Sequence, residues 1–88
     1  MTRSHVIVRG RVQGVGFRLS LARVAESRGV SGWVRNCPDG TVEAVIEGSA
    51  DAVESVVRWC VQGPRGAIVD SVQAVDEPAG GLHGFAIR

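Results

Sequence analysis

The chain has 88 residues, a net charge of +1, and hydrophobic and charged fractions of 44% and 22%, which are ordinary for a soluble globular protein. We expect residues 1–88 to form one domain, because this length is too short for separate cofactor and substrate domains. The ten basic residues are all arginines interspersed with nine acidic ones, so the chain lacks the basic stripe typical of nucleic-acid binders. The absence of lysine also excludes a Walker A loop.

The sequence carries no membrane or metal signature. No apolar run approaches the roughly 20 residues that a membrane helix needs, and no signal-peptide pattern opens the chain, so we expect a cytoplasmic protein without a membrane partner. The cysteines Cys37 and Cys60 lack CxxC spacing, and His5 and His83 are distant from both in sequence. We therefore expect no metal, a core position for Cys60 and a free thiol at Cys37.

The first half of the chain predicts a strand, a glycine loop and a helix. Residues 3–9 alternate between apolar and polar side chains, as in a strand with one buried face. The glycine-rich stretch 10–18 follows. Apolar residues then recur from Phe17 at i, i+4, i+7 and i+8, which predicts a helix that Gly29 ends.

The second half predicts a hairpin and a second helix. Residues 33–37 and 41–47 flank the turn residues Pro38-Asp39-Gly40, which is typical of a β-hairpin. Ser49 is placed to cap a helix that stops at Gly63-Pro64.

Two further strands are predicted over residues 68–75 and 84–88. The resulting order, β-α-β-β-α-β plus a short C-terminal strand, indicates an α+β, ferredoxin-like split βαβ fold. We expect its two helices to pack on one face of an antiparallel sheet. Because this fold hosts many functions, the function must be argued from the site.

The stretch 10–18 reads GRVQGVGFR and has the properties of an anion site. Its glycines allow several backbone N–H groups to turn toward one point without a Cβ in the way. The N-terminus of the following helix adds partial positive charge, and Arg18 adds a full charge with a planar fork of donors. This combination suits a phosphate group.

No nucleophile or general base accompanies this loop. The sequence shows no Ser-His-Asp order, no Cys with a neighbouring His and no paired carboxylates in these segments. The polar residue left to explain is Asn36, late in a strand before a turn. Its amide either satisfies backbone groups of the turn, which the pattern alone slightly favours, or holds a water or a developing oxyanion beside a phosphate on Arg18.

Both segments resemble the two signatures of the acylphosphatase family. The first is an aliphatic residue and then G-x-V-Q-G-V-x-F-R, matched by Val8, Gly10, Val12, Gln13, Gly14, Val15, Phe17 and Arg18. The second is G-W-V-x-N-x-x-x-G-x-V followed by a spaced glycine, matched by Gly32, Trp33, Val34, Asn36, Gly40, Val42 and Gly48. Two long signatures at the right separation make a specific match.

The resemblance implies a ferredoxin-like fold and hydrolysis of the carboxyl-phosphate bond of small acyl phosphates, without a metal or organic cofactor. By position, Arg18 corresponds to the phosphate-binding catalytic arginine and Asn36 to the water-orienting asparagine. Backbone donors would come from the loop residues Arg11, Val12, Gln13, Gly14, Val15, Gly16 and Phe17. We expect a monomer whose ligands are small acyl phosphates and inorganic phosphate.

Two other functions are compatible with the predicted fold. One is a non-catalytic ferredoxin-like module that binds a small ligand or phosphate; an RNA-binding version would need exposed aromatics in an RNP1-like run, and the four aromatics here are scattered. The other is a carbamoyl-phosphate-handling module, since acylphosphatase-like domains also occur within larger maturation enzymes. The length of 88 residues argues against the latter.

Overall fold

The computed structural model describes residues 1–88 and contains five strands and two helices. Their order confirms the prediction from the sequence, with strand boundaries that differ by a few residues. In chain order the elements are β1 (Thr2–Arg11), α1 (Phe17–Ser27), β2 (Ser31–Asn36), β3 (Val42–Gly48), α2 (Ala50–Gln62), β4 (Ile68–Glu77) and β5 (Phe85–Ile87).

The five strands form one sheet in the order β4-β1-β3-β2-β5. Every neighbouring pair is antiparallel except β2 and β5, which run parallel with Gly32 opposite Phe85. The predicted antiparallel arrangement is confirmed for β1 to β4, and the short C-terminal strand β5 adds one parallel pair at this edge. β4 runs antiparallel to β1, and β2 runs parallel to β1 because β3 lies between them. The chain reverses direction after β4 and crosses to the opposite edge, so β5 runs parallel to β2.

Both helices pack on one face of the sheet around a single core. Alternation places the apolar side chains of the strands on this face, and helical spacing does the same for α1 and α2. The core consists of Val6, Val8, Val12, Phe17, Leu21, Ala25, Val30, Val34, Val42, Ala44, Ile46, Val53, Val56 and Cys60. Cys60 is the core residue that the sequence predicts, and its burial raises the pKa of the thiol to about 12. Neither helix is long and apolar enough to span a membrane.

The face without helices contains a buried carboxylate that alternation alone does not predict. Glu47 occupies an outward position of β3, yet only 2% of its surface is exposed. Its carboxylate accepts hydrogen bonds from Gly80 N (2.7 Å), Leu82 N (2.5 Å) and Arg3 Nε (3.0 Å). These donors, Gly80 first, hold the pKa of Glu47 below its usual value. Glu47 therefore ties the connection between β4 and β5 onto the sheet.

We expect Glu47→Gln to lower the melting temperature at pH 7. The glutamine amide would place its own N–H donors beside the three groups that donate to Glu47, and the negative charge would be lost. The folded-state pKa of Glu47 is depressed, so its stabilisation is present above the unfolded pKa of about 4.3 and is lost as the pH falls through the lower folded pKa. Thermal unfolding followed between pH 7 and pH 3 should therefore show a flatter profile for the variant.

The matched control is Glu54→Gln, which removes an exposed i,i+4 partner of Arg58 and should change the melting temperature little. Equal melting temperatures for the two variants would contradict the role assigned to Glu47.

Candidate active site

One cavity lies where the loop after β1, the start of α1, the end of β2 and β5 meet. Its volume is about 200 Å³, and it is lined by Val12, Gly14, Gly16, Phe17, Arg18, Leu19, Asn36 and Ile87. The two signature segments are far apart in sequence and meet here. A larger open groove of about 540 Å³ lies along α2 and contains no residue of either segment.

The N-terminus of α1 opens toward this cavity without a capping side chain. Gly16 takes the N-cap position in a left-handed conformation (φ 75°, ψ 22°), which glycine adopts without strain. Ser20 N donates the first helical bond, to Gly16 O at 3.0 Å. The N–H groups of Phe17, Arg18 and Leu19 therefore precede the first helical donor. No acidic residue occupies the first turn, so the positive end of the helix dipole has no side-chain counter-charge there.

Arg18 is held at the edge of the cavity by the end of β5. Its Nη1 donates a hydrogen bond to the main-chain oxygen of Arg88 at 3.0 Å. Arg88 is fixed in turn, since its N–H donates to Val34 O at 2.8 Å and its guanidinium lies 4.4 Å from the ring centroid of Trp33. One donor of the Arg18 fork is thus engaged, and the remaining donors are available to a ligand.

Asn36 is the last residue of β2, and its side chain lines the cavity together with Arg18. The turn that follows is closed by Asp39, whose Oδ1 accepts hydrogen bonds from Thr41 Oγ1 (2.7 Å) and Thr41 N (3.0 Å). These bonds hold the pKa of Asp39 below its usual value. Asp39 thus supplies the side-chain acceptor of the turn, while Asn36 lines the cavity.

Gln13 joins the loop to the β2–β3 turn. Its Nε2 donates to Cys37 O (2.8 Å) and Thr41 O (2.9 Å). One amide therefore sets the distance between the glycine loop and the residue that follows Asn36. From the sequence, Gln13 is predicted to contribute only a backbone donor. Its side-chain partners lie 24 and 28 residues further along the chain, where no local pattern indicates them.

The structure distributes the other loop residues among different environments. Arg11 is the exposed last residue of β1, opposite Ile68, and does not line the cavity. Val12 and Phe17 are buried core residues that also line it, and Val15 packs against the core without lining it. Among the loop residues, Gly14 and Gly16 supply the exposed part of the lining, and an added Cβ at either would meet no heavy atom within 4 Å.

A charged cluster lies behind the site, on the face of the sheet without helices. Glu43 accepts from Arg35 Nε at 2.5 Å and lies 2.6 Å from His5 Nε2. His5 and Arg35 hold the pKa of Glu43 below its usual value. Cys37 Sγ lies 4.0 Å from the same carboxylate, and both cysteines are free thiols. No group of three or more His, Cys, Asp or Glu side chains is arranged to hold a metal ion.

Comparison with known proteins places the chain in a family. The protein-family model described as Acylphosphatase matches residues 4–87. The chain belongs to the acylphosphatase family. It is 59% identical over 87 residues to an acylphosphatase from Rubrobacter xylanophilus, covering 98% of this chain and 79% of that protein. It is 53% identical over 88 residues to an acylphosphatase from Trichormus variabilis, covering 100% and 87%.

The acylphosphatase fold is also shared. The crystal structure of acylphosphatase from Bacillus subtilis aligns with a TM-score of 0.97 at 37% identity, covering 100% of this chain and 99% of that chain. The predicted ferredoxin-like fold and the family resemblance are therefore confirmed, as is the assignment of the chain to a family of hydrolytic enzymes.

We expect Gln13→Ala to lower the free energy of unfolding by about 1–2 kcal/mol, because two hydrogen bonds are lost while each carbonyl keeps one backbone donor. Urea unfolding measures this difference. Gln73→Ala is the control, since Gln73 is an exposed residue of β4 far from the loop. A loss no larger than that of the control would remove the link assigned to Gln13.

Proposed function

We propose that the cavity is the active site of an acylphosphatase, which hydrolyses the carboxyl-phosphate bond of small acyl phosphates to a carboxylate and inorganic phosphate. The observation that carries the proposal is that Arg18 and Asn36 line one cavity at the uncapped N-terminus of α1. Each comes from a different signature segment. A cation, oriented amide donors and a neutral polar side chain are what this reaction needs.

The first task is to bind the phosphoryl oxygens. Arg18 would bind them through the donors that Arg88 leaves free, in the planar geometry that suits phosphate. Backbone N–H groups of the loop 11–17 and the first turn of α1 would add hydrogen bonds to the same oxygens. These donors are fixed before the reaction, so they stabilise developing charge without reorganisation.

The second task is to place a water in line with the bond that breaks. Asn36 would hold this water through its side-chain amide, opposite the departing carboxylate. The water oxygen bonds to phosphorus as the phosphorus–oxygen bond to the acyl group breaks. The carboxylate leaves without a proton, because its conjugate acid has a pKa of roughly 4. No carboxylate or histidine lines the cavity, so we assign the water's proton to a phosphoryl oxygen of the substrate.

The proposal extends to the domain organisation, oligomeric state, ligands and location of the enzyme. Residues 1–88 would act as a single domain and as a monomer, on small acyl phosphates and without nucleic acid or membrane. We extend the proposal to a cytoplasmic location, where both cysteines would stay reduced. The proposed steps use only this chain's own groups, so turnover should persist in the presence of a chelator.

We expect Arg18→Gln to lower kcat/KM for benzoyl phosphate by about 10³-fold, because a charged, bidentate donor to the phosphoryl group is lost. Inhibition by inorganic phosphate should weaken in parallel. Arg23→Gln is the matched control, since Arg23 is an exposed arginine of the same helix outside the cavity. Near-normal turnover in a folded Arg18→Gln variant would overturn the assignment. Phosphate binding by the unmodified protein without any turnover would instead favour a non-catalytic phosphate-binding module.

We expect Asn36→Ala to lower kcat by at least roughly 10²-fold, as removal of one oxyanion donor does in other enzymes. KM should change little, because Arg18 and the loop remain. Steady-state hydrolysis of benzoyl phosphate gives both constants. Arg35→Gln is the neighbouring control, because its side chain pairs with Glu43 on the other face of the sheet. A normal kcat for Asn36→Ala would return Asn36 to the structural interpretation.

A further inference from the structure

The cavity has an apolar rim beside its polar end. Six large hydrophobic side chains of the protein are exposed, and two of them, Leu19 and Ile87, line this cavity. Their exposed fractions are 49% and 46%. Neither belongs to the hydrophobic core, so packing of the fold does not account for them.

Their positions follow from the local geometry of the two elements that carry them. Leu19 lies two residues after the buried Phe17, which turns it about 200° away from the buried stripe of α1. Ile87 shares a face of β5 with Phe85, which packs against the core, and extends along that face to the cavity. A helix and an edge strand thus each place one aliphatic side chain at the same opening.

The size of the cavity decides which part of a substrate reaches this rim. Pockets that enclose drug-sized ligands have volumes of about 300–1,000 Å³, and this cavity has about 200 Å³. The phosphoryl group would occupy the end formed by Arg18, Asn36 and the loop glycines. An acyl substituent of more than a few atoms then has to lie at the mouth, against the aliphatic side chains.

We infer that Leu19 and Ile87 form the acyl-group subsite, so that the enzyme selects aromatic and aliphatic acyl phosphates over those whose acyl group carries a second charge. This inference rests on the proposed function. An apolar acyl group loses water on contact with the two side chains, which is favourable. A second carboxylate finds no donor on them and is partly desolvated, which is unfavourable.

The test compares three substrates: acetyl phosphate, benzoyl phosphate and succinyl phosphate. In the unmodified protein, kcat/KM should be highest for benzoyl phosphate and lowest for succinyl phosphate. Leu19→Gln keeps a helix-forming residue, and Ile87→Thr keeps a β-branched one. Each should lower the benzoyl-to-acetyl ratio of kcat/KM by about 5-fold, since one to a few buried methylene groups are lost from contact with the ring. Inhibition by inorganic phosphate, which reports only the anion end, should not change.

Two control variants introduce the same residues, Gln on a helix and Thr on a strand, at exposed hydrophobic positions outside the cavity. Val61→Gln on α2 and Val75→Thr on β4 should leave the ratio unchanged. The inference is overturned if the ratio stays constant in both cavity variants while acetyl phosphate is still hydrolysed, or if the controls shift it equally. It is also overturned if succinyl phosphate is the best substrate of the unmodified protein. Absence of turnover with all three substrates is a distinct outcome that rejects the proposed function itself.

Discussion

The site depends on two hydrogen bonds from the Gln13 amide. The loop after β1 and the turn after β2 belong to strands that are not neighbours in the sheet, since β3 lies between β1 and β2. Gln13 spans this separation and binds Cys37 O and Thr41 O. The glycine loop and the backbone at the end of β2 therefore keep one relative position. Preorganisation of this kind is what a reaction that relies on positioning and electrostatics requires.

Local patterns predicted most of the fold. The spacing of Phe17, Leu21 and Ala25 identified the buried stripe of α1, and the burial of Cys60 followed from the same rule for α2. The parallel pairing of β5 with β2 could not be predicted from local patterns, because the sequence of a short strand does not indicate which remote strand it pairs with. Glu47 was likewise missed, since its partners at Gly80 and Leu82 lie more than 30 residues away and are backbone groups without a sequence signal.

The candidate site divides in the same way. Arg18 and Asn36 were predicted because each stands in a long motif at fixed spacing, and the structure places both at one cavity. Arg11 was predicted to belong to the loop, whereas it is the last residue of β1. The strand continues past Gly10 because its register with β4 shifts there, and the sequence does not indicate such a shift. Leu19 and Ile87 carry no motif at all. Their shared opening depends on where β5 lies, which is the part of the topology that local patterns miss.

The contact that holds the Arg18 guanidinium lies in a less stable part of the fold than the core does. β5 has three residues, lies at the edge of the sheet and pairs with one strand only. Short edge elements open with smaller free energies than central strands, and they do so without global unfolding. Because the Arg18 guanidinium is bonded to the main chain at the end of this strand, its orientation follows the opening and closing of the sheet edge. The Arg18 end of the cavity is therefore coupled to fraying of the last strand, while the backbone N–H groups of α1 remain with the core.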